Sequence, residues 1–397
     1  MSWRGRLVLA LGIALVALVL AELAARLMIV PNEDLVWRPL PPFDGLFTAE
    51  QKGWLERQER ELAGEPATGI GQFDAELGWD HRAGAVSTDR RVHIDARGRR
   101  TLRVYPEERA PDLRRIVACG DSFTFCEEVA DAEAWPARLE ALFSASEVWN
   151  LGVGGYGTDQ ALLRARRELS VDDGPIDVLL SGLMVENIGR NVNRYRPRWH
   201  PSSVPAVKPR FLVSGAGDGL ELLPQPYATR EEFVAAVRSR EVLERLAEHE
   251  YWVETFLPKG FEWSAAARVL AGRRAYAARD LAPLWSDTAG EPFRTTVAVL
   301  AGFGDLAHAL GTRCVVLVFP MRESLEDLLA GGERCWTTLG PALGARHIEF
   351  LDLTDALLEA ARRDGLQALF LKSHLSPRGN EVVAAAVHEW LLPRLER

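Results

Sequence analysis

One serine, one histidine and two polar loops in this chain have the types and order that nucleophilic ester chemistry requires. That chemistry needs a nucleophile, a base to take its proton, and donors for the oxyanion that develops. Ser122 lies in Ile116-Val-Ala-Cys-Gly-Asp-Ser-Phe-Thr-Phe125, where a short apolar run reads as a buried parallel strand broken by Gly120-Asp121-Ser122. A serine there sits at the strand's carboxyl end, the edge of an open α/β sheet at which ligands bind. Asn150-Leu-Gly-Val-Gly-Gly155 follows a second strand, and its glycines let backbone N–H groups approach a ligand closely. Asn187 stands just beyond a third apolar strand and offers an amide donor. His374 lies in a loop that Ser376 and Pro377 turn into the last helix, and it offers a base. Each has an ordinary alternative: a helix N-cap for Ser122, a tight turn for the glycines, a turn cap for Asn187 and a structural role for His374.

The elements that must position these residues follow from hydrophobic periodicity. Strands are predicted at 115–119, 148–151, 176–183, 314–319 and 347–351. Helices are expected at 134–143, 159–169 with Thr158 as cap, 295–310, 355–363 and from Pro377 onward. This βαβ rhythm implies right-handed crossovers and a parallel sheet, with all the loops named above on one edge. The rhythm breaks over 192–292, an insertion with a hairpin at 210–213 and 220–223 and long amphipathic helices at 229–256 and 262–280. Residues 31–95 read as linker and accessory segment, with Pro31, Pro39, Pro41 and Pro42 extended, a polar helix at 49–63, and an edge strand or hairpin at 91–99.

Gly-Asp-Ser, then Asn-x-Gly-x-x-Gly, then an asparagine loop, then His-Leu-Ser resembles the SGNH (GDSL) hydrolase superfamily over roughly 113–191 and 293–394. The resemblance implies a three-layer α/β/α, flavodoxin-like domain over 96–397, with no metal and no cofactor. It makes Ser122 the nucleophile and His374 the base. The oxyanion hole would be the Ser122 N–H, the Gly155 N–H and the Asn187 side chain, and Asp121 would hold the loop. Two positions depart from the pattern. The aspartate usually found three residues before the histidine is Leu371, and the usual Gly-x-Asn-Asp reads Val185-Glu186-Asn187-Ile188. A Ser–His dyad oriented by a carbonyl, an acid from elsewhere such as Asp364, and a weakened domain all fit that departure.

Composition bounds the compartment and partners. The 397 residues carry a net charge of −9, which argues against a general nucleic-acid binder. Cys119, Cys126, Cys314 and Cys335 show no CxxC pair and read as buried free thiols. Arg4 and Arg6 precede an apolar run over 7–30, predicting a membrane anchor (1–30) with a cytoplasmic N-terminus and the rest extracytoplasmic; a cleaved signal is the rival. Arg190, Arg194, Arg196 and Arg198, interleaved with Tyr195 and Trp199, form either a solvated loop or a clamp for an anionic, sugar-containing substrate, with Arg190 and Arg194 its first candidates. Resemblance and anchor together lead to the expectation of a serine esterase acting on O-acyl groups, acetyl among them, of exported or envelope carbohydrate or another small ester. An O-acyltransferase using the same serine and a non-catalytic binding protein are the alternatives.

Overall fold

Alternate residues of five parallel strands part onto two faces of one sheet, and each face is covered by helices. A computed structural model describes the whole chain except residues 1, 29–48, 107–108, 111, 172–173, 201–202, 215–218, 240, 254–262 and 396–397. The proline-rich start, 31–48, of the expected linker and accessory segment (31–95) and the tip of the expected hairpin at 215–218 therefore lie outside the described residues. The strands are β1 (Arg114–Cys119), β2 (Ser146–Asn150), β3 (Val178–Met184), β4 (Arg313–Phe319) and β5 (Glu349–Asp352). Their spatial order is β2-β1-β3-β4-β5, all parallel, the doubly wound order of flavodoxin-like folds.

One face collects Ile116, Ala118, Val148, Val178, Leu180, Val315 and Leu317 under the helices Trp135–Leu142, Thr354–Asp364 and Pro377–Leu395. The other collects Val117, Cys119, Trp149 and Leu179 under the helices Thr158–Glu168 and Glu291–Ala309. Period-two alternation with both faces buried is why the strands read as continuous apolar runs. Between β1 and β2, Arg115 and Glu147 form a fully buried ion pair, and the Arg115 guanidinium stacks 4.2 Å from the Trp149 ring centre. All four cysteines are free thiols, Cys119 and Cys126 fully buried and the other two half-buried.

The chain divides into two compact units. The sheet unit comprises 66–192, 207–230 and 281–397; the other comprises 1–65, 193–206 and 231–280. Residues 66–95 of the expected linker and accessory segment group with the sheet unit, as do 207–230 and 281–292 of the expected insertion. In the sheet unit, Gly71–Asp74 and Gly78–His81 form an antiparallel hairpin absent from the sequence reading, while Arg210–Ser214 pairs with Gly219–Leu223 as expected. The 91–99 segment makes only single bridges, Val86 with His93 and Ile94 with Arg100, and Arg100 then bridges to Asn150 beside β2. The other unit holds the helix Trp3–Met28, whose stretch Trp3–Leu27 is long and apolar enough to cross a membrane. Glu22 on that helix accepts from the Ala265 N–H at 2.9 Å, the Ala266 N–H at 3.1 Å and the Ser264 hydroxyl at 2.8 Å, capping the helix Ala265–Ala278. The expected long helix at 229–256 is broken into Arg230–Ser239, Glu241–Arg245 and a short 3₁₀ turn at Tyr251–Val253.

His81 ends the first hairpin with its ring 4.6 Å from the Phe125 ring and Nδ1 3.3 Å from the Gly98 carbonyl oxygen. Burial, with Arg164 and Arg100 close by, pushes its imidazole down to about 3. Unfolded histidine protonates near 6.5, so between these values the unfolded state binds the extra proton and stability falls as pH falls. From pH 6.5 to pH 5 the wild type is expected to lose about 2 kcal/mol more unfolding free energy than His81→Gln, read by urea titration at the two pH values.

Candidate active site

β1 delivers the chain at Cys119 to Gly120, and the backbone turns at once into the short helix Ser122–Phe125. Asp121, not Ser122, is its N-cap: Asp121 Oδ1 accepts the Phe123 N–H at 2.9 Å. The capping alternative for Ser122 is thereby removed, because the neighbouring carboxylate satisfies that donor. No hydrogen bond of the Ser122 hydroxyl, to His374 or to any other group, occurs among the described residues. Asp121 is fully buried; burial raises its pKa, opposed by Arg190 first and by the Phe123 N–H, and the Arg190 guanidinium stands 3.6 Å away.

The loop after β2 locks onto this turn from one side. Asn150 donates its amide to the Thr124 carbonyl at 2.9 Å and accepts the Gly152 N–H at 2.9 Å, while the Val153 N–H donates to the Gly120 carbonyl at 3.1 Å. Gly152 leaves no room for a side chain, since a Cβ there would meet the Phe125 backbone nitrogen at 2.3 Å. Gly155 has φ +80°, a left-handed conformation natural to glycine. The following helix begins at Thr158 with Gly157 as its cap residue, so Thr158 is not the cap. Asn191 Oδ1 accepts the Thr158 N–H at 2.8 Å instead, a donor and acceptor 33 residues apart.

β3 ends at Met184, and Asn187 opens the next short helix beside the β1 turn. β1 and β3 are sheet neighbours where the strand order reverses, the switch point at which doubly wound sheets bind ligands. Asn187 is fully buried beside Asp121, and its side-chain amide is among the groups that oppose the rise of the Asp121 pKa. Trp285 donates its indole N–H to the Val185 carbonyl at 3.0 Å and so fixes the loop from behind.

His374 closes the arrangement from the C-terminal side. Its ring centre lies 5.6 Å from that of Phe123, the residue after the serine. Trp135 ties the two parts together: its indole N–H donates to the Phe123 carbonyl at 3.0 Å, and its backbone N–H donates to Asn380 Oδ1 at 3.1 Å. The Asn380 amide donates in turn to the Leu375 and Ser376 carbonyls, each at 3.0 Å. Sequence reasoning missed the two carboxylates that flank the imidazole. Glu128 Oε1 is 3.3 Å from Nδ1, and Glu127 Oε2 is 3.5 Å from Nε2. Glu127 also lies over Gly154, where a Cβ would meet its Oε1 at 1.9 Å. Their adjacency to the serine motif was visible in the sequence, but their direction depends on a left-handed backbone at Cys126 (φ 66°) and Glu128 (φ 72°).

Three expectations are corrected. Asp364 does not serve His374: its carboxylate pairs with Arg363 and Arg378, each at 2.9 Å, and those hydrogen bonds hold its pKa down. Arg190 is buried, with its guanidinium on Glu186 at 3.2 Å, on the Tyr156 carbonyl at 3.2 Å and beside Asp121, so it braces the serine turn instead of facing a ligand. Arg194 is likewise buried and donates to the Glu248 carbonyl at 2.9 Å, within the unit that does not contain the sheet.

No protein-family model and no curated protein sequence matches the chain. Solved structures to which it is similar include a member of the lipolytic protein G-D-S-L family from Veillonella parvula, at 11% identity and TM-score 0.34, covering 70% of this chain and 97% of that one. A lipase/acylhydrolase from Enterococcus faecalis gives 12% identity and TM-score 0.34, covering 71% and 97%. The functional reading therefore rests on the site's own geometry.

Arg190→Met should leave Asp121 and Glu186 buried without their cation and cost about 3–5 kcal/mol of stability. Urea unfolding measures this. An open-face substrate contact would leave stability unchanged and raise KM alone.

Proposed function

We propose that this chain is a membrane-anchored serine ester hydrolase that removes O-acyl groups, acetyl among them, from exported or envelope carbohydrate through an acyl-serine at Ser122. The observation that carries the reading is the unbonded Ser122 hydroxyl at the β1/β3 switch point, with His374 against the next residue and the buried Asn187 amide beside Asp121 in the neighbouring loop. In this reading Ser122 Oγ attacks the acyl carbon and passes its proton to His374. The tetrahedral oxyanion is received by the Ser122 N–H, the Gly155 N–H and the Asn187 amide. His374 then protonates the departing alcohol, and water releases the acid by the reverse of these steps. In this structure Nε2 of the imidazole faces Glu127 at 3.5 Å.

The carbohydrate and the orientation are supported more remotely. Arg4 and Arg6 ahead of the apolar helix favour a cytoplasmic N-terminus, which would put the sheet unit where exported polymers are found.

The test uses the full chain in detergent. Wild type should hydrolyse p-nitrophenyl acetate and take a fluorophosphonate label, and Ser122→Ala should lose the label and at least about 10³-fold of the turnover. An unlabelled wild type, or turnover that survives Ser122→Ala, would overturn the reading and favour a non-catalytic binding protein. Acyl transfer to added sugar in place of hydrolysis would assign the same serine to an acyltransferase.

A further inference from the structure

We propose that Glu128, from the turn just after the nucleophile, is the carboxylate that orients His374, in place of the one absent at Leu371. This inference rests on the Ser122–His374 reading above and extends it to a residue that no sequence pattern designates. A relay through imidazole needs Nε2 toward the serine and an acceptor on Nδ1, where it fixes the tautomer and stabilises the imidazolium. Glu128 Oε1 is on the Nδ1 side at 3.3 Å, where the Ser373 hydroxyl stands at 3.2 Å, whereas Glu127 is on the Nε2 side at 3.5 Å.

The turn that carries the histidine is itself bound to the same carboxylate. Glu128 Oε2 accepts the Lys372 N–H at 3.0 Å, Oε1 accepts the Ser373 hydroxyl at 3.4 Å, and the Leu371 N–H donates to the His374 carbonyl at 2.9 Å. Leu371 is exposed, and Asp364 is taken up by two arginines. Burial raises the Glu128 pKa, but the hydrogen bonds from His374 and Lys372 outweigh it and hold it below the ordinary value, so the group stays ionised at neutral pH.

The backbone is bent to achieve this. Cys126 and Glu128 both adopt left-handed conformations, which cost a residue with a side chain roughly 1–2 kcal/mol each. Arg100 holds the bend: it donates to the carbonyls of Phe125 at 2.7 Å, Cys126 at 2.6 Å and Val129 at 2.7 Å, and it pairs with Asp131 at 2.8 Å. Strain maintained by a buried arginine, at a residue whose side chain reaches the candidate base, is the pattern expected of a positioning residue.

Glu128→Gln in the full chain keeps the shape and removes the charge. We expect kcat to fall about 10²–10⁴-fold with KM within threefold, and the acid limb of the kcat/KM profile to move to lower pH because the imidazolium loses its counter-charge. Glu128→Asp should recover part of kcat. A purely structural role would change thermal stability without moving that limb. A low-field imidazole Nδ1–H proton resonance, present in the wild type and in Ser122→Ala but absent from Glu128→Gln, gives a readout that needs no turnover. Turnover that depends on Ser122 while Glu128→Gln keeps kcat within threefold would overturn this proposal alone. So would a larger loss in Glu127→Gln than in Glu128→Gln. A Glu128-dependent resonance in a protein without Ser122-dependent turnover would leave the orientation standing and overturn the hydrolase reading.

Discussion

The turn carrying Ser122 is pressed so closely onto the loop after β2 that the residue beneath it can have no side chain. A Cβ at Gly152 would meet the Phe125 backbone, and Thr124 fills the space over Gly120 and Gly182 in the same way. This close approach lets Asn150 hydrogen-bond across the gap and lets the Gly120 carbonyl take the Val153 N–H. The β1, β2 and β3 loops thus interlock at one edge, and the position of Ser122 is set by the sheet. A looser edge would leave the donors and the serine to be brought together by binding, at a cost in ordering.

Around that edge the protein uses internal charge in place of apolar packing. Asp121 faces Arg190, Asp131 faces Arg100, and Asp159 faces Lys208, all buried. Such pairs add little net stability over well-packed apolar residues, but removing one partner is severe. The Arg100 guanidinium touches three carbonyls and a carboxylate, tying residues 125–131 down at four points. The polar framework therefore specifies where the active edge lies more than it holds the fold together.

The sheet was legible in the sequence because strands buried on both faces are apolar throughout, and their loops fall on one edge by topology alone. Ser122, the Asn150–Gly155 loop and Asn187 could be placed on that edge for this reason, whereas His374 follows the short helix Leu366–Leu369 rather than a strand of the sheet. What escaped depends on partners distant in the chain. Thr158 looks like a helix cap, but the cap is supplied from Asn191, and the arginines after Asn187 look like a solvated or ligand-binding run because Asp121 and Glu186 cannot be seen reaching for Arg190. Glu127 and Glu128 sit beside the serine motif in plain view, yet nothing in a string of letters states that the backbone turns left-handed there. The hairpin at Gly71–His81 escaped because its strands are short and carry no alternating pattern.

Glu22 gives the N-terminal helix a second meaning. A carboxylate in an apolar segment is ordinarily a liability, yet here it takes two backbone N–H groups and a hydroxyl at the head of another helix more than 240 residues away. The apolar helix is thus not interchangeable with any other apolar helix. An unrelated one joined in its place would strip Ala265–Ala278 of its cap, and a preparation beginning after Met28 would lack that cap too.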